Sequence, residues 1–229
     1  MLGIVIPAHN EERHIATAVN AAAAAARHRD LRGEAVEIIV VLDSCDDLTG
    51  VRACQHGART LSLRGRNVGF ARAAGAAALL AMGARWLAFS DADSRVSEAW
   101  LAHQLALEAD AVCGTVAVDD WSSHGEDASW LQAQFQSKYV DADGHSHVHG
   151  ANLGVSASAY RRAGGFRQLR CSEDQDLVSA LVSSGARVAW SAKPRVVTSA
   201  RRDVRAHGGF GSSLNAAVAS RSRGAHRAC

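Results

Sequence analysis

Two carboxylates, Asp91 and Asp93, flank Ala92 directly after the apolar run at residues 86–89. Carboxylates this close repel each other unless a cation lies between them or water screens them. Their hard oxygen ligands suit Mg²⁺ or Mn²⁺, and these ions also bind phosphate oxygens. An ordinary acidic turn has the same residue pattern, so the position directly after a strand is what favours a metal site. The sequence therefore predicts that Asp91 and Asp93 hold a divalent cation against a phosphorylated ligand.

A second acidic group, Glu173-Asp174-Gln175-Asp176, stands at the start of a predicted helix. Acids are common there because the helix dipole favours negative charge, and this is the structural interpretation. The functional interpretation is general base catalysis on a hydroxyl group by one of these acids, with a second acid that sets its orientation; Glu173 and Asp174 are the candidates. Helical spacing points Asp174 and Asp176 in different directions, so the two cannot share one role.

Three histidines alternate at His145, His147 and His149. On a strand their side chains would share one face, so a three-histidine metal site is one interpretation. The Asp-Ala-Asp-Gly segment before them favours a loop instead, and a loop that contacts an acceptor is the interpretation we prefer.

The elements that position these residues follow from the apolar pattern. Short apolar runs alternate with alanine-rich helical stretches, which predicts an α/β domain with a mostly parallel sheet and helices on both faces. The predicted strands of the first half are residues 2–6, 36–42, 60–63, 86–89 and 111–118. Ligands bind outside the carboxyl ends of such strands. The polar residues at 8–11, 43 and 91–93 are therefore expected in one neighbourhood.

Other local features are predicted as well. Asn10 is expected to cap the first helix, with Glu11 and Glu12 in its first turn. One helix is expected over residues 96–107, and the chain beyond Leu214 is expected to be poorly ordered. In the second half, helices are predicted at 128–139, 158–163 and 173–184 and strands at 150–155 and 188–190.

Composition and net charge limit the classes of protein to which the chain can belong. The chain has 229 residues and a formal net charge of +2, which fits one globular domain and demands no broad nucleic-acid-binding face. Its five cysteines are scattered, which is typical of reduced thiols in a cytoplasmic protein. The N-terminal apolar run is too short for a signal peptide or a membrane span. The arginine-rich segment 201–229 is expected to be a partly disordered tail, or a loop that folds over a phosphorylated ligand.

Five segments, taken in order, resemble family 2 of the inverting glycosyltransferases, which have the GT-A fold. They are residues 4–12 (Ile-Val-Ile-Pro-Ala-His-Asn-Glu-Glu), 38–44, 67–75, 91–93, and Gly164-Gly165-Phe166 with 173–177. They stand where the family has a nucleotide-binding loop, a base-contacting aspartate, a glycine-bearing helix, a metal and diphosphate site and an acceptor motif. The second segment continues Asp-Ser-Cys-Asp-Asp instead of Asp-Asp-Gly-Ser, which leaves open which aspartate meets the base. The resemblance covers residues 2–199, and its strength lies in the ordered set.

The resemblance implies a GT-A (Rossmann-like) domain over residues 1–200, with a donor half at 1–118 and an acceptor half at 119–200. The donor would be a nucleoside diphosphate sugar and the cofactor Mn²⁺ or Mg²⁺, held by Asp93 together with Asp91. Asp174 would take the proton from the acceptor hydroxyl, giving inversion. The implied donor-binding residues are Pro7, Ala8, Asn10, Glu11, Asp43, Asn67, Gly69, Arg72, Asp91 and Ala92.

Gly150, Asn152 and Trp121 are expected to contact the acceptor, which could be a small molecule, a lipid-linked molecule or a glycan. Some GT-A enzymes take a third metal ligand from a C-terminal histidine, and His207 is placed for that role, with a simple surface loop as the other interpretation. The sequence is compatible with a homodimer and indicates neither a nucleic-acid partner nor a transmembrane segment.

Two other classes of function fit the pattern less well. A metal-dependent nucleotidyltransferase uses a similar sheet but wants a glycine-rich loop with a basic residue after the first strand, where this chain has Pro-Ala-His-Asn-Glu-Glu. A non-catalytic protein that binds nucleotide sugars is the second class. The presence of Asp91, Asp93 and Asp174 argues mildly against it.

Overall fold

Strands and helices alternate along the chain in the computed structural model, which describes residues 1–203 and 209–225. The strands are β1 (Leu2–Ala8), β2 (Val36–Asp43), β3 (Arg59–Leu63), β4 (Trp86–Phe89), β5 (Arg95–Val96), β6 (Ala111–Ala117), β7 (Leu153–Ser156) and β8 (Val188–Val197). The α-helices are α1 (Ile15–Ala26), α2 (Thr49–Gln55), α3 (Val68–Ala81), α4 (Trp100–Ala106), α5 (Ala128–Lys138), α6 (Ala157–Arg162), α7 (Glu173–Ser183) and α8 (Phe210–Ala225). Two short 3-10 helices span Arg29–Leu31 and Ser122–Asp127.

The strands form one mixed sheet in the order β3-β2-β1-β4-β7-β6-β8-β5. The pairs among β1, β2, β3 and β4 are parallel, as is the pair of β6 with β8. The prediction of a mostly parallel sheet is only partly right, because β7 is antiparallel to both β4 and β6 and β5 is antiparallel to β8. The chain between β6 and β7 stays at the carboxyl edge and enters β7 from there, so no helical crossover restores the parallel direction.

Helices cover both faces of the sheet because its central strands are apolar on both sides. Successive residues of a strand point to opposite faces. In β1, Ile4 belongs to the core cluster that contains Ile15 of α1. Val5 belongs to the cluster on the other face, which contains Leu79 of α3. The two clusters hold the carboxyl ends of β1, β2 and β4 at one edge, where the predicted site residues follow.

The start of the first helix differs from the prediction. Helix α1 begins at Ile15 after His14, and Asn10 has a left-handed backbone with φ of 53°. Asn10 does not cap α1 because its side-chain amide is hydrogen-bonded to the loop after β2. Glu11 and Glu12 therefore belong to the loop before the helix, not to its first turn.

The predicted helix over 96–107 is divided between two elements. Val96 pairs with Val196 in the β5–β8 ladder, and the helix proper starts only at Trp100. The predicted strand at 150–155 begins at Leu153, and the predicted strand at 188–190 extends to Val197. These differences arise because strand pairing between distant segments overrides local propensity.

Of the residues beyond Leu214, predicted to be poorly ordered, 215–225 instead form most of helix α8, and 226–229 lie outside the described residues. The helix packs on a small apolar cluster separate from the main core, in which Trp121, Leu131, Ala200 and Leu214 are buried. This contact joins α8 to α5 and to the segment after β8. Of the helices described here, none is long and apolar enough to cross a bilayer.

Candidate active site

The loops that follow β1 and β2 are joined side by side at the carboxyl edge of the sheet. Asn10 Nδ2 donates to Asp46 Oδ1 at 2.6 Å, and Asp46 N donates back to Asn10 Oδ1 at 2.9 Å. The backbone N–H of Glu11 donates to Thr49 Oγ1 at 2.7 Å. Asp46 and Thr49 were not predicted as site residues. Through these hydrogen bonds the two predicted donor loops, after β1 and after β2, form one continuous wall. Pro7 and Ala8 are the last two residues of β1 and lead into it.

Asp43 organises the loop that leads into α3. Its Oδ1 accepts hydrogen bonds from the backbone N–H groups of Gly65 and Arg66 at 2.7 and 2.8 Å, and its Oδ2 accepts one from Asn67 at 2.7 Å. Ser44 Oγ adds a fourth at 3.1 Å. Burial by itself would raise the pKa of Asp43, but the backbone donors outweigh it and the pKa is lowered. A carboxylate offers about four acceptor positions, so this one is fully engaged within the protein. The predicted contact of Asp43 with the base stays a prediction.

Asn67 caps α3 and ties it to the acceptor half of the chain. Its Oδ1 accepts from Phe70 N at 2.8 Å, and its Nδ2 donates to Leu169 O at 2.7 Å. At the second residue of the helix, a methyl group on Gly69 would lie 2.5 Å from the carbonyl oxygen of Arg167. Glycine at this position therefore permits the close approach of the segment that precedes α7.

Arg72 of α3 is the buried centre of the site, with 3% of its surface exposed. Its Nη2 donates to Asp91 Oδ1 at 2.6 Å, and its Nη1 donates to Glu173 Oε1. Gly150 lies against the guanidinium, and any side chain there would collide with it. Burial raises the pKa of Glu173 even though Arg72 acts to lower it. Arg72 thus links the predicted metal motif to the predicted catalytic helix.

Asp174 lies beside Glu173 in the first turn of α7 and is half-buried. Its Oδ2 accepts a hydrogen bond from Gly150 N at 2.9 Å, and its Oδ1 accepts one from Gln175 N at 2.8 Å. Asp176 instead pairs with the exposed Arg167. The prediction that Asp174 and Asp176 point in different directions is confirmed.

Asp93 meets Arg201, the first residue of the arginine-rich segment predicted as a tail or as a loop over a phosphorylated ligand. Arg201 Nη2 lies 3.1 Å from Asp93 Oδ2, and Arg201 Nη1 donates to Glu11 Oε2 at 2.7 Å. Burial raises the pKa of Asp93 to about 6, an effect that Arg201 opposes and that Asp91 and Glu11 reinforce. A cavity of about 560 Å³ opens beside the pair, with Asp120 and Arg95 on its wall.

The carboxylates of this cluster suit a divalent cation that a ligand helps to hold. Among residues 1–203 and 209–225, no three acidic, histidine or cysteine side chains converge on one metal position, and His207 lies outside the described residues. Magnesium, however, is commonly held by one or two carboxylates together with substrate phosphates. The acids also outnumber the arginines that neutralise them, which leaves negative charge for a cation. These residues are Glu11, Asp91, Asp93 and Glu173, with Arg72 and Arg201. Asp93, with Asp91 beside it and the buried Ala92 between them, fits such an ion.

The three histidines form a stack in a loop, not one face of a strand. The rings of Tyr139 and His147 stack with centroids 4.2 Å apart, and those of His147 and His145 are 5.5 Å apart. Tyr139 Oη accepts from Val116 N at 2.7 Å and lies 2.9 Å from His149 Nε2. Burial, followed by the neighbouring His147, lowers the pKa of His149 to about 4. Within the described residues these histidines do not converge on one metal position, and the predicted contact of their loop with an acceptor stays a prediction.

His149 makes the stability of the protein depend on pH. Because its pKa is about 4 in the folded protein against 6.5 ordinarily, the unfolded chain takes up a proton first as the pH falls. We expect the wild type to lose about 2–3 kcal/mol of unfolding free energy through His149 between pH 6.5 and pH 4. Urea denaturation of wild type and His149→Gln across this range measures the difference. His56→Gln, at an exposed histidine, is the control and should lose stability as the wild type does. Equal pH dependence in wild type and His149→Gln would contradict the prediction.

Two predicted acceptor residues are placed in the protein interior. Asn152 is fully buried, its Nδ2 donates to Thr115 O at 2.6 Å and Pro194 O at 3.0 Å, and its Oδ1 accepts from Trp100 Nε1 at 2.8 Å. All its amide hydrogens are used, so it offers no donor to a sugar hydroxyl. Trp121 is buried in the cluster beneath α8. Gly150, the third predicted acceptor residue, is also buried, but its backbone N–H donates to Asp174 Oδ2 at 2.9 Å.

Joined loops, buried acids and a cleft at the carboxyl ends of parallel strands are typical of α/β proteins that bind nucleotides at this edge. Sequence and structure comparisons define the class further. The model for glycosyl transferase family 2 matches residues 3–164, and the chain belongs to this family. The predicted family is therefore confirmed. No curated protein sequence matches the chain.

Solved structures share the fold at low sequence identity. Residues 1–349 of S. aureus TarS, in complex with UDP-GlcNAc, match with a TM-score of 0.65 and 13% identity over 91% of this chain and 61% of that one. The mannosyltransferase PcManGT from Pyrobaculum calidifontis, in complex with GDP-Man and Mn²⁺, matches with a TM-score of 0.62 and 16% identity over 88% and 57%. Glucosyl-3-phosphoglycerate synthase from M. tuberculosis matches with a TM-score of 0.56 and 17% identity over 89% and 73%. The chain thus spans about three fifths of the TarS and PcManGT chains, and its single mixed sheet has the GT-A type of fold.

Proposed function

We propose that the protein transfers a sugar, with inversion, from a nucleoside diphosphate sugar to a hydroxyl group of an acceptor. The observation that carries the proposal is the buried Arg72, which holds Asp91 and Glu173 together and so brings the predicted metal motif next to Asp174. Asp91 follows β4, whereas Glu173 and Asp174 are the first two residues of α7. Membership of the family, and structural neighbours in complex with UDP-GlcNAc and GDP-Man, support the same proposal.

The donor is proposed to lie along the wall formed by the loops after β1 and β2. Asn10, Glu11 and Asp43 order this wall through contacts within the protein, so it needs little rearrangement to receive a nucleotide. Asp93 and Asp91 are proposed to hold Mn²⁺ or Mg²⁺ against the diphosphate. Such an ion neutralises the charge that develops on the departing diphosphate.

Asp174 is proposed to act as the general base. Its carboxylate accepts the proton of the acceptor hydroxyl as the hydroxyl oxygen bonds to the anomeric carbon and the bond to the diphosphate breaks on the opposite side. The hydrogen bond from Gly150 N fixes the position of Oδ2, and Arg72 holds the neighbouring Glu173 in place. Attack from the face opposite to the leaving group inverts the anomeric centre. The acceptor is proposed to be a small molecule, a lipid-linked molecule or a glycan.

A panel of nucleotide sugars with Mn²⁺ tests the proposed reaction. Release of a nucleoside diphosphate, with or without an added acceptor, is the expected result, because transfer and slow hydrolysis both break the bond at the anomeric carbon. Formation of pyrophosphate from a nucleoside triphosphate and a sugar phosphate would show a nucleotidyltransferase. Binding without turnover across the panel would show a non-catalytic protein.

Asp93→Ala should abolish metal-dependent donor binding, since it removes the ligand proposed to hold the ion against the diphosphate. Calorimetric titration of a donor with and without Mn²⁺ measures this. Asp120→Ala removes an exposed carboxylate from the same cavity and should bind the donor as the wild type does. Unchanged donor affinity of Asp93→Ala in Mn²⁺ would remove Asp93 from the metal site.

A further inference from the structure

Arg201 occupies the space between two acids of the site that come from different loops. It reaches Glu11, which is 190 residues away in sequence, and lies 3.1 Å from Asp93 Oδ2. The side chain of Arg201 is 20% exposed, and those of Glu11 and Asp93 are 4% and 17% exposed. The guanidinium of Arg201 is thus the positive charge that neutralises these two carboxylates in the structure.

A guanidinium and a divalent metal ion placed at the same oxygen of Asp93 would compete for its negative charge. A metal ion bound there would lie within about 5 Å of the guanidinium, where like charges repel strongly in a partly buried site. Glu11 holds Arg201 by two hydrogen bonds, whereas Asp93 has the single longer contact. Arg201 can therefore leave Asp93 and still keep a carboxylate partner.

Arg201 is also attached to the segment that carries helix α8. Its neighbour Ala200 is buried against Trp121 and Leu214 in the cluster beneath that helix. On the other side, Thr198 is anchored to β6 through a hydrogen bond from its N–H to Ala117 O at 2.8 Å. If Arg201 moves away from Asp93, residues 199–203 are therefore expected to move with it. Strand β8 on one side and helix α8 on the other are held by their own contacts.

We propose that Arg201 is a built-in competitor of the metal ion: it neutralises Asp93 in the donor-free protein and is displaced from Asp93 when metal and diphosphate bind. The inference rests on the proposed function, because it takes Asp93 as the metal ligand. It assigns Arg201 a positioning role: the arginine protects the acidic site from binding a cation without a donor, and it couples donor loading to the C-terminal segment.

Binding of MnCl₂ alone, followed by electron paramagnetic resonance of free Mn²⁺, tests the competition without any turnover. Arg201→Gln should bind Mn²⁺ at least about tenfold more tightly than the wild type, because a positive charge next to the ligand is removed. Arg201→Lys should stay close to the wild type. So should Arg95→Gln, which removes an exposed arginine from the same cavity. Equal or weaker binding by Arg201→Gln would overturn the proposal.

Asp93→Asn separates this inference from the proposed metal site. If Asp93→Asn loses Mn²⁺ binding while Arg201→Gln binds as the wild type does, the metal assignment stands and the competition is overturned. If Asp93→Asn binds Mn²⁺ as the wild type does, the metal assignment and the competition are both wrong. Loss of binding in Asp93→Asn together with a gain in Arg201→Gln supports both.

Hydrogen exchange of the wild-type protein tests the displacement without relying on a variant that must fold. MnCl₂ with inorganic pyrophosphate supplies the metal and the diphosphate group. The backbone amides of residues 199–203 should then exchange faster, while those of α4, which is remote from Arg201 in the chain and packed in the core, should not change. Unchanged or slower exchange in residues 199–203 would overturn the displacement of Arg201.

Discussion

Replacing Asp174 by asparagine should lower turnover by about 10²-fold or more and leave donor affinity close to that of the wild type. Asparagine keeps the shape of the side chain and can still accept the hydrogen bond from Gly150 N, but it cannot take up the acceptor proton. The donor contacts proposed here involve other loops, so binding should be preserved. Steady-state kinetics with a donor identified from the panel, together with calorimetric donor titration, measure both quantities.

Asp176→Asn is the matched control for this experiment. Asp176 lies on the same first turn of α7, and its carboxylate pairs with the exposed Arg167 and not with Gly150. Its loss should leave turnover within a few-fold of the wild type. Wild-type turnover in Asp174→Asn would rule Asp174 out as the base, and a parallel loss of donor affinity would point to a role in binding.

The second large effect is expected on stability, from Arg72→Met. Methionine fills a similar volume but leaves Asp91 and the buried Glu173 without their common partner. Removing one partner of a buried ion pair typically destabilises a protein by about 3–5 kcal/mol, because the remaining charge stays buried and uncompensated. Urea denaturation at neutral pH measures this loss. The pKa of Glu173, already raised by burial, should rise further.

A second substitution shows whether the unpaired charge is the cause. In the double variant Arg72→Met/Glu173→Gln the buried carboxylate is gone, so a large part of the lost stability should return. Arg167→Met, at the exposed pair with Asp176, should change stability little. If Arg72→Met unfolds at the same urea concentration as the wild type, the buried triad does not stabilise the fold.

The motifs and the first-half strands were predictable because they depend on short-range pattern. Continuous apolar runs in β1, β2 and β4 indicate buried parallel strands, and the residues just after a strand must lie at its carboxyl edge. Asp91 and Asp93 are placed by this rule alone. The position of Asp174 is predictable in the same way because it lies at the start of a helix. The different directions of Asp174 and Asp176 follow from helical spacing.

The mixed direction of the sheet could not be predicted in the same way. The four residues of β7 and the two of β5 carry too little pattern to show with which strand they pair. Asn152 illustrates the consequence. A polar residue near an expected cleft suggests ligand contact, but its amide is enclosed by Thr115, Pro194 and Trp100 once β7 lies between β4 and β6.

The sequence alone thus determined the family resemblance, the edge at which the site lies and the acids that follow the strands, because each depends on neighbouring residues in the chain. Only the tertiary structure decided how those acids are neutralised. Arg72 meets Glu173 across 101 residues and Arg201 meets Glu11 across 190. Such pairs form because a buried charge must find a partner wherever packing brings one within reach, and packing is a property of the whole fold.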